Sequence, residues 1–147
     1  MLRYDANPNI FMASVGKDSG EVRLLTSGML DPVFSFPESD LGPVSFVSSP
    51  PRGKTRMIGH ENGYIKIVSV SSLKVSNIYR VNLAENETLS CGIYNSSGHN
   101  FALGTSFGSI YIGNIKRDKM SSESKPQMFL SKVDTVSPDQ NHAVTSL

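Results

Sequence analysis

Asn100-Phe101-Ala102-Leu103-Gly104-Thr105-Ser106-Phe107-Gly108-Ser109-Ile110-Tyr111-Ile112-Gly113 reads as two β-strands joined by a tight turn. Phe101, Leu103 and Thr105 alternate with the small Ala102 and Gly104, and after the turn Ile110 and Ile112 alternate with Tyr111 and Gly113. Such alternation places one set of side chains on each sheet face. Gly108 supplies the positive φ that a tight hairpin turn requires.

The pattern occurs twice more upstream. Val15-Gly16-Lys17-Asp18-Ser19-Gly20-Glu21-Val22-Arg23-Leu24 and Ile58-Gly59-His60-Glu61-Asn62-Gly63-Tyr64-Ile65-Lys66-Ile67 superpose on it without a gap. The columns Val15/Ile58/Leu103, Gly16/Gly59/Gly104, Gly20/Gly63/Gly108, Val22/Ile65/Ile110 and Leu24/Ile67/Ile112 agree in kind. The turn glycines Gly20, Gly63 and Gly108 lie 43 and then 45 residues apart. A self-similar period of that length, holding several short strands, is the mark of a β-propeller blade.

Strand and turn signals extend the three units outward. The first blade is expected over about 2–37, with a short outer strand at 33–36 bracketed by Pro32 and Pro37, as suits an exposed edge. The second covers about 43–82, with strands near 44–47, 55–59, 64–68 and 74–81. The third covers about 88–131, with strands at 89–94, through the opening stretch, and at 127–130. The polar stretch 82–88 reads as a crossing loop, and 116–126 as a solvated one. Residues 143–147 look like the first strand of a further blade. Three units do not close a propeller, which needs about four to eight blades. The expectation is therefore a segment of a longer protein, or a chain that closes by association. Alone, its bare end faces would make it aggregation-prone, oligomeric or partly folded.

The 147 residues carry 14 basic and 13 acidic side chains, net +1, so no electrostatic footprint for nucleic acid or an anionic membrane stands out. The single cysteine, Cys91, cannot form an internal disulfide, and no signal-peptide hydrophobic run opens the chain. A reducing, cytoplasmic setting is the expectation. The sequons at Asn86 and Asn95 then carry no sugar. No apolar run approaches the roughly 18 residues of a membrane span.

Four strands per unit, the period and the glycine turn between second and third strands resemble the WD40-repeat family. That resemblance implies an all-β fold of four-stranded antiparallel propeller blades, and a rigid platform that assembles other proteins rather than an enzyme. The family's signature is eroded. No tryptophan is present, and Leu24-Leu25, Ile67-Val68 and Ile112-Gly113 stand where Trp-Asp would end the third strand. The turn aspartate persists as Asp18, becomes Glu61 and is lost at Ser106. The family's Asp-His-Ser-Trp hydrogen-bond network should be missing, with aliphatic packing in its place.

Candidate chemistry is thin. Gly104-Thr105-Ser106-Phe107-Gly108 matches the G-x-S-x-G string of a hydrolase nucleophile elbow, but that needs a strand-to-helix turn, and here another strand follows. His60, His99 and His142 have no metal-ligand spacing with each other or with Cys91, and His60 and Glu61 are expected at a blade surface. Cys91 reads as a small buried residue. The cluster Lys116-Arg117-Asp118-Lys119 is interrupted by an acid and reads as a solvated loop, and the Phe-Arg-Arg-Gly motif of phosphoinositide-binding propellers is absent. No cofactor, metal or catalytic residue is expected.

What remains is surface. The resemblance points to the side chain just before the turn acid as a top-face docking position, here Lys17, His60 and Thr105, flanked by Asp18, Glu61, Asn62 and Phe107. Phe107 is the sharpest candidate, since aromatics anchor interfaces. The sequence-level reading is a non-catalytic interaction scaffold whose partners are other proteins and whatever completes the propeller, in a cytoplasmic, cytoskeletal or ciliary assembly. The competing readings are a hydrolase using Ser106 in a propeller channel, and a phosphoinositide- or nucleic-acid-binding propeller.

Overall fold

A computed structural model describes residues 2–4, 10–15, 21–26, 29–36, 41–51, 53–69, 71–72, 74–116, 126–133 and 143–145. For the first four stretches the description extends to strands and their pairing. Among the described residues twelve strands run in chain order: β1 (Leu2–Tyr4), β2 (Ile10–Val15), β3 (Glu21–Thr26), β4 (Met29–Phe36), β5 (Val44–Ser48), β6 (Thr55–His60), β7 (Tyr64–Ser69), β8 (Lys74–Arg80), β9 (Leu89–Tyr94), β10 (Asn100–Thr105), β11 (Ile110–Lys116) and β12 (Gln127–Val133). They form three antiparallel four-stranded meanders, β1–β4, β5–β8 and β9–β12. The first strand of each later sheet lies against the sheet before it, β5 beside β2 and β9 beside β5. The fold is all-β, a run of propeller blades.

The ungapped superposition holds for two units. Gly59 pairs with Ile65 and Gly104 with Ile110, so the second and third hairpins share one register. In the first hairpin Ser14, not Gly16, lies opposite Val22. An offset of two residues keeps every side chain on its face, whereas an offset of one would turn the strand inside out. The alternation therefore survives although the alignment does not.

Two outer strands run longer than the sequence reading places them. β4 includes Pro32, which lies opposite Leu25 where the register slips. Only the outer edge of a sheet tolerates that, because proline has no N–H to give to a ladder. β12 continues to Val133, paired with Ile110. Residues 143–145, expected as a strand, lie outside the ladders.

Among the residues whose side chains are described, the core lies between the second and third sheets. Phe46, Met57, Ile65 and Ile67 of one meet Leu89, Phe101, Leu103 and Tyr111 of the other, with Val81 closing one end. Phe46 is the centrepiece. A Cβ added at Gly59 would lie 2.1 Å from its ring, and one at Gly92 would lie 2.4 Å from it. The ring is thus clasped between two glycines, one from each sheet. The opposite face of the third sheet leaves Ile112, Phe129 and Val133 half exposed, whereas Leu103 of the same hairpin is wholly buried against the second sheet.

Candidate functional site

The hairpin turns after β6 and β10 lie at one end of the sheets, together with the 82–88 loop. Both turns close with the same bond, Gly63 N–H to His60 C=O at 3.0 Å and Gly108 N–H to Thr105 C=O at 3.2 Å. Gly63 and Gly108 take φ of +91° and +79°, which only glycine adopts without strain. The loop is stitched to both turns. Val81 N–H reaches Gly63 C=O and Leu89 N–H reaches Glu61 C=O, each at 2.9 Å, while Ser106 N–H bonds Thr88 C=O at 2.9 Å. Ser106 Oγ accepts the Thr88 N–H at 2.9 Å in return. A rigid end face results.

Beneath the two turns lie two different polar locks in one place. His60 and Thr105 occupy equivalent positions, and each reaches the residue 18 positions earlier. In the second sheet His60 Nδ1–H donates to Gly42 C=O at 2.8 Å. In the third, Thr105 Oγ1–H donates to Glu87 Oε1 at 2.6 Å, and Thr105 Oγ1 accepts from Ser109 N–H at 3.1 Å. The other oxygen of Glu87 accepts from Ala84 N–H at 2.9 Å. Burial pushes the Glu87 carboxyl up, but the hydrogen bonds from Thr105, Ala84 and Ser109 and the charge of Lys132 outweigh it and hold the group below its ordinary value. The His60 ring is held below its ordinary value by burial, against its bond to Gly42, with the charge of Lys66 adding to the shift. Its Nε2 is buried without a hydrogen-bond partner among the described residues.

These locks correct two expectations. Where the sequence reading expects aliphatic packing, buried polar side chains lock the turns of the second and third sheets. Nor do His60 and Thr105 stand on the surface. Both are wholly buried, because β6 and β10 run to these residues and turn their side chains into the sheet face. Neither side chain can meet a partner. Of the other candidates, Glu61 is half-buried and Asn62 exposed at the turn, and Phe107 is 39% exposed. Lys17 and Asp18 lie outside the described residues, as does His142. Glu87, Ser109 and Gly42 were not singled out in the sequence. The signal that marks Glu87 and Gly42 is the repeated 18-residue spacing back from the last residue of the second strand of the unit.

Nothing here assembles catalysis from Ser106. It sits in a strand–turn–strand with its Oγ engaged by the Thr88 amide, not on the strand–helix elbow that such a nucleophile needs. Among the described residues no group of three His, Cys, Asp or Glu is placed to hold a metal ion, and no helix is long and apolar enough to cross a membrane. At the opposite end of the sheets, Thr55, Tyr94, His99, Ile115 and Pro126 line a groove of about 400 Å³ between the second and third sheets. Burial raises the Tyr94 hydroxyl to about 12, so it stays protonated.

No family model matches the chain, and no curated protein matches it. Solved structures do. The C-terminal WD40 domain of Sif2 superposes with a TM-score of 0.71 over 99% of this chain at 13% identity. The β-propeller domain of Cps50 (Swd1) from Myceliophteria thermophila superposes with a TM-score of 0.67 over 88% at 9% identity. In each case the match spans 38% of the other chain. At such identities what is shared is the backbone, and this chain has the fold of WD40 β-propeller blades.

Proposed function

We propose that the chain is a non-catalytic protein–protein interaction platform, with other proteins as partners and with a further blade, from the same polypeptide or another, covering the third sheet where Ile112, Phe129 and Val133 stand exposed. The observation that carries this reading is the stitched end face. Its turns are locked by backbone bonds and buried side chains, and they present Asn62, Phe107 and the half-buried Glu61 beside the exposed loop residues Asn82, Ala84, Glu85 and Asn86. An aromatic held on a rigid turn presents contact area at little ordering cost. A cytoplasmic setting, with a cytoskeletal or ciliary assembly as the narrower reading, goes with the balanced charge and single cysteine.

The test is affinity purification from native extract with the wild type, Phe107→Ala, Asn62→Ala and, as a control at a remote exposed site, Lys74→Ala. A partner retained by the wild type and the control but lost from the two turn variants supports the platform. Recovery that is equal across all four chains, or no stable partner at all, would overturn it.

A further inference from the structure

Residues 143–145 rest on the third sheet by contacts that centre on one residue. Val144 N–H donates to Thr105 C=O at 2.9 Å. The Val144 C=O accepts from Ser90 Oγ and, at 3.4 Å, from Cys91 Sγ. The Ser90 hydroxyl also lies 3.1 Å from Gly104 C=O. The isopropyl group fills a recess floored by Gly104, where an added Cβ would lie 2.6 Å from Val144 Cγ1 and 2.8 Å from Cys91 Sγ.

The same place one unit earlier is built differently. There Gly59 is the floor and the Phe46 ring fills the space. In the third unit those columns are Gly104 and Cys91. Replacing a phenyl ring by a thiol leaves room for an aliphatic group from elsewhere, and Val144 supplies it. The incoming backbone also follows a precedent, for Leu89 N–H docks on Glu61 C=O of the second turn much as Val144 N–H docks on Thr105 C=O of the third. The seat is therefore made for an extended segment with one modest aliphatic side chain.

The segment's own hold is light. It joins no ladder, Val144 is half-buried, and Ala143 and Thr145 are exposed. Its polar contacts go to the Val144 backbone, which any extended peptide could offer, so the recess alone selects the side chain.

We propose that residues 143–145 form a detachable strap that closes a strand-docking seat on the third sheet, and that the seat, once vacated, takes an extended segment of another chain carrying a β-branched aliphatic residue in the place of Val144. Cys91, buried beneath the strap, reports whether the seat is covered. The seat opens on the face of the third sheet that also bears Ile112, so this inference bears on how that face is covered and is tested apart from the turn residues Asn62 and Phe107.

Cys91 is the only cysteine, so the labelling rate of the folded 147-residue chain with an aromatic disulfide reagent reads one atom. Labelling of the wild type should be slow and limited by strap opening. Val144→Gly should speed it about three- to tenfold, the factor that loss of a half-buried aliphatic side chain implies. Ser90→Ala, which removes a hydroxyl donor without touching the isopropyl group, should speed it less. A free peptide spanning residues 141–147 should restore saturable protection to Val144→Gly, and the same peptide carrying Val144→Asp should not. Equal labelling rates in wild type and both variants, or a peptide that gives no protection, would overturn the proposal. Thermal melts verify that each variant is folded, and if Val144→Gly is not, the peptide arm runs in Ser90→Ala.

Discussion

The two faces of the second sheet solve one burial problem in opposite ways. Toward the third sheet it presents Phe46, Met57, Ile65 and Ile67, all at most 6% exposed and packed on Phe101, Leu103 and Tyr111. Its other face is buried just as deeply but carries Arg56, His60 and Lys66 among Ile58 and Val68, with exposures of 3% or less for Arg56 and His60 and 4% for Lys66. In the third unit the same columns hold Phe101, Thr105 and Tyr111. Apolar burial at one interface and cationic burial at the other differ in sign energetically, since a buried ammonium loses hydration that apolar groups never had. Of these two faces, the one toward the third sheet is therefore the more stabilising.

The sharpest way to break that contrast is to empty the strong interface. Phe46→Ala should cost about 3–5 kcal/mol of stability, the range for a buried phenylalanine, measured by chemical denaturation. Gly92→Ala should cost about 1–3 kcal/mol by overpacking, because its Cβ would meet the ring at 2.4 Å. In a Phe46→Leu background that penalty should shrink. Additive costs would show that the glycine–phenylalanine clasp is not the coupled unit the geometry indicates.

Next in size is the carboxylate lock beneath the third turn. Glu87→Gln should cost about 1.5–3 kcal/mol at neutral pH, the worth of hydrogen bonds to a charged group. The sign with pH follows from a carboxyl held below its ordinary value. Its contribution is full above the unfolded value of about 4.3 and is lost as pH falls through the lower folded value. Wild type and Glu87→Gln should therefore converge on acidification. Parallel acid limbs in the two denaturation profiles would remove Glu87 from the account.

The weak face gives smaller effects of opposite sign. Burial holds the Lys66 ammonium below its ordinary value, so charging it opposes folding at neutral pH. Lys66→Met should raise stability by about 1 kcal/mol, and the gain should fade toward alkaline pH as the wild-type amine sheds its proton. For His60 the folded value is also lowered, so wild-type stability should decline as pH falls below about 6.5. His60→Asn keeps an N–H for Gly42 C=O and should lose that slope. Destabilisation by Lys66→Met at pH 7 would show that the cation is satisfied and the two faces are equivalent.

How much of this was legible in the sequence follows from which forces are periodic. The alternation in Ile58–Gly59 and Leu103–Gly104, with glycine at the turn, gave strand, turn and repeat, and β9 begins and ends at the residues read for it. Side-chain period is a local property of the chain, so it survives even the offset of the first hairpin. The polar locks were not legible, because Glu87 and Thr105 meet only when a crossing loop folds over a turn. His60 was misplaced by a single residue of strand length. At a strand end one residue decides between a side chain on the end face and one in the interface, and propensity does not resolve ends that finely.

The smallest stability effect belongs to the end face and sharpens the comparison from outside it. Phe46 and Phe107 are the same residue type in opposite situations, one 2% and the other 39% exposed. Phe107 follows the lock residue Thr105 on a turn already closed by Gly108, so the turn does not depend on its ring. Phe107→Ala should therefore shift stability by no more than about 0.5 kcal/mol, as for ordinary surface changes. If the end face is a docking surface, the same variant should lose about tenfold or more in affinity for a purified partner, the scale of an aromatic anchor. Melting and titration on one preparation separate these quantities. A variant that melts early would mark Phe107 as part of the fold, and one that melts and binds like the wild type would move the docking surface elsewhere.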